Sequence, residues 1–555
     1  MKYTGASLTI RLIERQGVDI VAGIPGGANL PLYHALGQSS IRHVLVRHEQ
    51  AGGFLAQGIA RSTGKAGVCF ATSGPGATNL LTAIADAKLD SIPLVAITGQ
   101  VPTSLIGTDA FQEVDTYGMT VPITKHNFLV REPGELLTVI PEAFRIATSG
   151  RQGPVLIDIP KDVQTAPIEV LELPEPGRPD RGPRVDSAAL AHIARMIAAS
   201  QRPLLYIGGG VISANAAEEL RALARKCDLP AVSTLMGLGA LPSGNPRLLG
   251  MLGMHGERST NLVVDRADLL IALGARFDDR ATGKVDTFAR DAAVIHMDAD
   301  ASEIGKIRRA DLALACDLKE GLSRLATLLA PIERNAWRGE IVEIRSSAPP
   351  LSFEDRSHPA RLISMLAAMA DEESIVTTDV GQHQMWAAQW WPVRRPRSFL
   401  TSGGLGTMGF GVPAAIGAAL ANPGRSVIAL TGDGSFLMNI QELATIAELG
   451  LDLKICVLNN GQLGLVRQQQ ELFYESRFVG SRFEAQPDFA AIARGFGIPA
   501  WRFEMPHPHE EIASALSTPG PVLLDIAIPE TENVYPMVPP GKANVEAIVA
   551  QEAVI

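Results

Sequence analysis

The stretch from 427 to 466, VIALTGDGSFLMNIQELATIAELGLDLKICVLNNGQLGLV, constrains this chain most, because it sets two oxygen-bearing side chains at the ends of two neighbouring strands. Val427 to Leu430 reads as a short buried strand, and Gly432-Asp433-Gly434 as a tight turn that lets backbone approach a ligand. Leu437, Ile440, Leu443 and Ala447 read as one helix face, and Gly450 as its stop. Lys454 to Leu458 is the next strand. Asp433 and Asn460 therefore fall at carboxyl ends of parallel strands, the crevice where open α/β sheets bind ligands. A carboxylate, a carboxamide and the carbonyl of Gln462 suit a hard cation such as Mg²⁺, which takes few oxygens from protein and the rest from water and phosphate. The alternative is a surface turn in an ordinary βαβ unit, which a lone GDG would favour.

At 555 residues the chain is too long for one core and implies about three domains. Over 1-170, the apolar runs VDIVAGIPGG, HVLVRHE, AGVCFATSGPG, IPLVAITGQ and PVLIDIPKD alternate with helical patterns, as in a parallel sheet. The Pro-rich, charged run LELPEPGRPDRGPRVD, 171 to 186, reads as a linker. A second series over 187-330 has strands in PLLYIGGG, LPAVST, ADLLIALGAR and AAVIHMDAD. Periodicity fades from 331 to 358, and a third series over 358-530 runs from SIVTTDVG to GPVLLDIAIP. The expected fold is α/β, three doubly wound parallel-sheet domains. The tail over 531-555, with ENVYPMVPPGKAN, suits a strap, a lid or a disordered terminus.

Charge and cysteine narrow the function. With 49 basic against 59 acidic residues, a formal net charge of -10, nucleic acid is an unsuitable partner, and anionic ligands must be held by local groups such as helix N-termini, Arg or metal. Cys69, Cys227, Cys316 and Cys456 show neither metal-ligand spacing nor a disulfide framework, which fits a reducing, cytoplasmic setting. MKYTGASLTIRLIERQG reads as an amphipathic helix rather than a signal peptide. No apolar run reaches the length of about 18 residues that a membrane span needs.

GDG followed one crossover later by NN resembles the diphosphate-binding motif of thiamine diphosphate enzymes. Glu49, in HVLVRHEQAGG, opens a helical run after a strand, where a carboxylate commonly stabilises a helix N-terminus. Packed against a third domain's cofactor site, it would instead hydrogen-bond the aminopyrimidine N1′, where a partly desolvated carboxyl shares a proton readily. In chain order GIPGGA, RHEQ, SGPGATN, AITGQVP, IGTDAFQE, TKHNFLV, GPVLIDIPKD, LGMLGMHG, GARFDDRATGK, TTDVGQHQMW, GGLGTMGFG and VYPMVPPG resemble the acetohydroxyacid synthase (acetolactate synthase) family, catalytic large subunit, over nearly the full length. The pattern is similar to the bacterial isozyme I type.

The resemblance implies roles residue by residue. Glu49 becomes the activating acid, and Asp433, Asn460 and the Gln462 carbonyl become the Mg²⁺ ligands. Gln382, His383, Gly432, Gly434 and Ser435 would meet the diphosphate, with Met408 propping the bent coenzyme and Gly406 offering a carbonyl to its 4′-amino group. FAD contacts are implied for Arg151, Gly208, Gly209, Gly210, Thr234, Leu235, His255, Gly274, Ala275, Arg276, Asp298 and Asp317. Read alone, Gly208 to Gly210 are only a loop, and GARFDDR suits a surface turn in which Arg276 and Arg280 pair with Asp278 and Asp279. Arg280 is implied near the second substrate's carboxylate, which a planar guanidinium grips on two prongs. Gly27, Ala28, Phe111, Gln112, Lys161, Met254 and Val380 are implied to line the substrate channel. Gln469 stands where many members carry a Trp that favours 2-oxobutyrate. The implied domains are pyrimidine-binding, FAD-binding and diphosphate/Mg-binding in chain order.

The implied reaction is decarboxylation of pyruvate and ligation of its two-carbon unit to pyruvate or 2-oxobutyrate, in valine, leucine and isoleucine biosynthesis. FAD would be structural, or a relic, rather than an electron carrier, because no net oxidation occurs. Sites shared between subunits imply a homodimer or homotetramer, with a small regulatory subunit. The rivals are a flavin oxidoreductase of the pyruvate oxidase kind, against which GARFDDR argues, a non-catalytic regulatory or scaffold role, against which Glu49, Asp433 and Asn460 argue, and a glyoxylate carboligase, which usually lacks the activating Glu.

Overall fold

Three six-stranded parallel sheets follow one another along the chain in a computed structural model that describes residues 1–353, 355 and 357–549. In the first, the spatial order is Arg42–Leu45, Ile20–Gly23, Gly67–Ala71, Leu94–Gln100, Pro154–Pro160, His126–Leu129. Numbered by chain position within the sheet, that is 2-1-3-4-6-5. The third sheet repeats this order with Phe399–Leu400, Ile375–Thr378, Val427–Gly432, Leu453–Asn459, Val522–Ala527 and Ala500–Phe503. The middle sheet is 3-2-1-4-5-6: Leu248–Met251, Ala231–Ser233, Pro203–Ile207, Leu269–Leu273, Ala293–Asp298, Leu312–Ala315. That is the strand order of dinucleotide-binding folds.

Central strands such as Gly67–Ala71, Leu94–Gln100 and Val427–Gly432 are buried at every position. Helices cover both faces, so these strands read as continuous apolar runs rather than alternating ones. In each sheet the chain leaves its first strand toward one edge and returns to build the other. A crevice opens where the direction switches: between Ile20–Gly23 and Gly67–Ala71, between Pro203–Ile207 and Leu269–Leu273, and between Ile375–Thr378 and Val427–Gly432.

The N-terminal helix Gly5–Arg15 forms as its amphipathic pattern predicts, capped by Thr4 and Ser7 in a reciprocal capping box. A short antiparallel pair, Lys2–Thr4 with Pro167–Glu169, ties the two ends of the first sheet's segment together. The stretch from 171 to 186 has no regular element, yet it lies closely on helix Leu136–Thr148: a Cβ on Gly177 would stand 1.8 Å from the Pro141 carbonyl oxygen.

Two expectations are corrected. The span 331 to 358 is not uniformly aperiodic, because helix Asn335–Ser347 buries Trp337 and Ile341 and Trp337 Nε1 donates to the Pro203 carbonyl at 3.1 Å. Its apolar face is narrow, and surrounding charge hides it in the sequence. The single face drawn through Leu437, Ile440, Leu443 and Ala447 is broken into a turn Asp433–Phe436, a 3-10 turn Ile440–Glu442 and helix Leu443–Leu449, with Leu437 turned outward. Asn439 interrupts it, spending its amide on the Gly409 carbonyl at 2.7 Å. Gly450 does end the helix, in the left-handed conformation at φ 58°.

Beyond the third sheet the chain crosses back over the middle one. Val538 N–H donates to the Met254 carbonyl at 2.9 Å, Asn544 Nδ2 to the Ala281 carbonyl at 2.8 Å, and Ala543 bridges Gly283. Residues 550–555 of this tail lie outside the described part.

Candidate active site

The crevice of the third sheet holds a cavity of about 120 Å³ lined by Val380, Gln382, His383, Trp386, Met408, Asp433, Ser435, Asn460 and Gln462 among others. Asp433 opens the turn after its strand and is 2% exposed. Burial pushes its carboxyl up to about 6, against opposing hydrogen bonds from the Gly434 backbone, Gln486 and the Gln462 backbone. Gln462 N–H and Gln486 Nε2 both reach Oδ2, at 3.1 and 2.8 Å. Asn460 turns its amide to Gln382 Oε1 at 3.2 Å, which leaves its own oxygen for the cavity. Gly461 and Leu463 carry the backbone bonds to the neighbouring strand-like segment, so the Gln462 carbonyl stays outside that ladder.

Among the described residues no group of three or more His, Cys, Asp or Glu gathers as a metal cluster. A cation here must rely on mixed oxygen donors and on its ligand's phosphates, the habit of Mg²⁺. The cradle fits a phosphate chain as well. His383 is buried and its Nε2 has no partner, and burial draws its pKa down to about 3, so the ring is neutral. A Cβ on Gly432 would strike that imidazole at 2.9 Å. Ser435 Oγ donates to the Val380 carbonyl at 2.8 Å.

Glu49 occupies the first sheet's crevice, at the start of helix Glu49–Thr63. Its Oε2 accepts from Asn79 Nδ2 at 3.0 Å, and Oε1 faces Gly76. Glu49 is not among the residues lining the Asp433 cavity of its own chain. Gly27 and Ala28 border the same crevice, where Ala28 N–H meets Thr72 Oγ1 at 3.3 Å. Beyond Gln100, Glu113 staples a loop by accepting from Gly107, Thr108 and Ala110 N–H groups. That loop presents Phe111, 87% exposed, beside Gln112 at φ 59°. Lys161 is exposed at the start of helix Lys161–Thr165.

The middle crevice brings Gly208, Gly210, Gly274 and Ala275 into backbone contact: a Cβ on Gly208 would lie 2.1 Å from the Gly274 carbonyl oxygen. Thr234 caps the turn that begins at Leu235. Asp298 is buried, with its carboxyl pushed up to about 6 by burial. Asp317 caps helix Leu318–Leu328. Arg276 does not pair with an Asp but donates to the Leu89 carbonyl at 2.6 Å, and Arg151 meets Glu303 at 2.6 Å. Asp278 is spent as a helix cap. Arg280 reaches outward beside Met254 Sδ at 3.8 Å and pairs loosely with Asp279. His255, neutral with a pKa drawn down to about 4 by burial, bonds the Pro536 carbonyl at 3.0 Å.

Family models cover the three sheets in turn: the N-terminal TPP binding domain of thiamine pyrophosphate enzymes matches residues 3–119, their central domain 190–325, and their C-terminal TPP binding domain 379–526. The acetolactate synthase isozyme 1 large subunit of Escherichia coli (strain K12) is 53% identical over 99% of this chain and 98% of its own length. The acetolactate synthase large subunit of Parasynechococcus marenigrum is 48% identical over 98% and 91%, and the isozyme 2 large subunit of Escherichia coli 47% over 98% and 99%. The chain belongs to the acetolactate synthase large-subunit family.

By these domain matches the chain is a thiamine diphosphate protein, and the two matched TPP binding domains hold the first and third sheets. The structure gathers Gln382, His383, Met408, Asp433, Ser435, Asn460 and Gln462 around one cavity. It sets Gln469 apart, in an open groove of about 500 Å³ with Phe473, Tyr474 and Arg477 that shares only Val466 with that cavity. Gln486 and Gln468 escaped sequence reasoning. Gln468 accepts from Gln382 Nε2 at 3.1 Å and donates to the Val534 carbonyl at 2.9 Å, tying the cavity floor to the tail. No motif marks either glutamine, whereas Asp379 could have been found inside TTDVG.

Proposed function

We propose that this chain catalyses the acetolactate synthase reaction: pyruvate loses CO₂ and its two-carbon unit joins pyruvate or 2-oxobutyrate, giving 2-acetolactate or 2-aceto-2-hydroxybutyrate for branched-chain amino acids. The observation that carries this reading is the convergence of Asp433, Asn460 and Gln462 beside His383, whose Nε2 has no partner among the described residues, at one crevice. Mg²⁺ would bind there between those oxygens and a diphosphate. When bound, thiamine diphosphate supplies the electron sink for decarboxylation and carbon–carbon bond formation. The protein's part is to hold and protonate. Glu49, kept in place by Asn79, handles the proton at pyrimidine N1′. Met408 and Val380 exclude water from the reacting side, and Arg280 takes the second oxoacid's carboxylate.

FAD is proposed for the middle sheet, supported by its 3-2-1-4-5-6 order and by the close glycine backbones at the switch point. Its role there is structural. Glu49 stands outside its own chain's Asp433 cavity, which supports sites completed by a second copy, in a dimer or tetramer. The large-subunit names of the relatives support a small regulatory partner. Four buried, unpaired cysteines support a cytoplasmic home, and no helix among the described residues is long and apolar enough to cross a membrane.

Product analysis with pyruvate alone, then with 2-oxobutyrate added, tests the reading in the presence of thiamine diphosphate, Mg²⁺ and FAD under anaerobic conditions. Acetolactate is expected without any electron acceptor; pyruvate left untouched would refute the reading. With Gln469 polar in the groove that meets the Asp433 cavity at Val466, both acceptors are expected to compete with little discrimination, and a strong bias toward 2-aceto-2-hydroxybutyrate would contradict that.

A further inference from the structure

The loop from Thr401 to Met408 brings Met408 into the lining of the Asp433 cavity and Gly406 beside Val380, another lining residue, without a regular element of its own. With glycines at 403, 404 and 406 it loses much conformational entropy when fixed, so groups outside it must hold it. Those groups come from another domain. Helix Pro75–Asp90 of the first sheet ends beneath the loop. Asp86 Oδ1 accepts from Ser402 Oγ and, at 2.9 Å, from Thr407 Oγ1. Asp90 accepts the Gly403 and Gly404 N–H groups at 3.0 and 2.7 Å. Ser402 Oγ in turn receives the Thr407 N–H at 2.9 Å. Asp379 holds the far end, accepting from Gly409 N–H at 2.7 Å and Gly411 N–H at 3.1 Å.

Behind the two carboxylates lies Arg61, with side-chain exposure of 4% against 0% for both acids. Its Nη2 stands 3.1 Å from Asp86 and 2.8 Å from Asp90, and its Nη1 donates to the Thr401 carbonyl at 2.9 Å. Two buried anions against one cation leave a negative charge that is costly unless further donors satisfy it. The donors that do so are those of the loop. Burial and Asp90 raise the Asp86 pKa, while Arg61, Ser402 and Thr407 oppose the rise. Loop and carboxylates therefore stabilise each other.

We propose that Asp86 and Asp90 are positioning residues: from the first domain they fix the 401–408 loop of the third, and through it the Gly406 carbonyl and Met408 on the pyrimidine side of the cavity. This rests on the reading above, in which that loop meets the pyrimidine of thiamine diphosphate. The same helix carries Asn79 against Glu49, so one element supports an acid at one end and a coenzyme loop at the other.

The test compares full-length Asp86→Ala, Thr407→Val and Thr407→Ser proteins, the last keeping the hydroxyl. Thiamine diphosphate affinity is read by quenching of tryptophan fluorescence, Trp386 lining the cavity, alongside deuterium exchange at C2 of the bound coenzyme and melting of coenzyme-free protein. Soluble Asp86→Ala and Thr407→Val are each expected to weaken affinity and slow exchange about tenfold, with Thr407→Ser within about twofold of wild type, and wild-type affinity and exchange in soluble Asp86→Ala overturn the proposal. The coenzyme-free melting temperature of Thr407→Val is expected within about 3 °C of wild type. Affinity and exchange unchanged in Thr407→Val, or equally impaired in Thr407→Ser, overturn the proposal. If Asp86→Ala is insoluble, the Thr407 pair decides alone. Wild-type protein that binds no thiamine diphosphate overturns instead the reading beneath it.

Discussion

Gln486 and the Gln462 backbone both donate to Oδ2 of Asp433, while Oδ1 has no side-chain donor among the described residues. On the function proposed above, Oδ1 would then be the oxygen that faces a cation. Outer hydrogen bonds of this kind orient a ligating carboxylate, and their loss typically costs tenfold or more in metal affinity. Gln486→Leu is expected to weaken Mg²⁺ binding to protein loaded with thiamine diphosphate by about tenfold; calorimetric titration giving the wild-type affinity would reduce Gln486 to packing. Away from the site, Asp158 is wholly buried on strand Pro154–Pro160, and burial pushes its carboxyl up to about 7 against hydrogen bonds from Thr98 and Gln100. The unfolded carboxyl titrates near 3.8, so between there and about 7 the folded state binds more protons and stability falls as pH rises. Asp158→Asn is expected to flatten that fall, measured as urea midpoints at about pH 5 and about pH 8; an unchanged difference between the two midpoints would show that Asp158 is ionised throughout. Asp433 and Asn460 were legible because GDG and NN stand one crossover apart, a spacing a parallel sheet imposes. Gln486 was not, since it meets Asp433 from 53 residues away through tertiary folding alone.

Helices Glu49–Thr63 and Gly411–Ala421 join the first and third domains within one chain by backbone contact. A Cβ on Gly58 would sit 2.1 Å from the Ala414 carbonyl oxygen, and one on Gly417 2.0 Å from that of Leu55. Neither glycine is needed for its dihedral angles, so proximity is what each supplies. Gly58→Ala must push the helices apart, and overpacking a closed interface costs about 1–3 kcal/mol. A lowered melting temperature together with weakened thiamine diphosphate binding is the expected result; a melting curve superposable on wild type would mean that the domains slide freely there. Elements of this central kind were plain in the sequence, because strands buried on both faces must be apolar throughout. Within the three large sheets, His126–Leu129, Leu248–Met251, Phe399–Leu400 and Ala500–Phe503 went unread, and each is a sheet edge. An edge strand pairs on one side only and tolerates polar residues: Ala500–Phe503 buries its ends and exposes Trp501 and Arg502. Helix Asn335–Ser347 was hidden for the same reason, its buried face being little more than Trp337 and Ile341.

At the scale of the molecule, the first and third sheets share one strand order and each ends in a crevice, one holding Glu49 and the other Asp433. Within the chain the two sheets meet through Gly58 and Gly417, and buried residues of both, Val46, Leu55, Val412 and Ile416 among them, form one apolar cluster. That packing fixes their relation so that Glu49 lies outside the Asp433 cavity. On the function proposed above, the acid at the pyrimidine would then come from a second copy, related by a closed symmetry that pairs each Glu49 with the partner's cavity. The arithmetic of such a dimer can be tested. Glu49→Gln and Asp433→Asn chains, each almost inactive alone, form mixed dimers with one intact site and one doubly altered site. Coexpressed in equal amounts and assembling at random, they are expected to recover roughly a quarter of wild-type acetolactate formation. Sites built within single chains would recover nothing on mixing, because every cavity would still lack either its acid or its metal ligand.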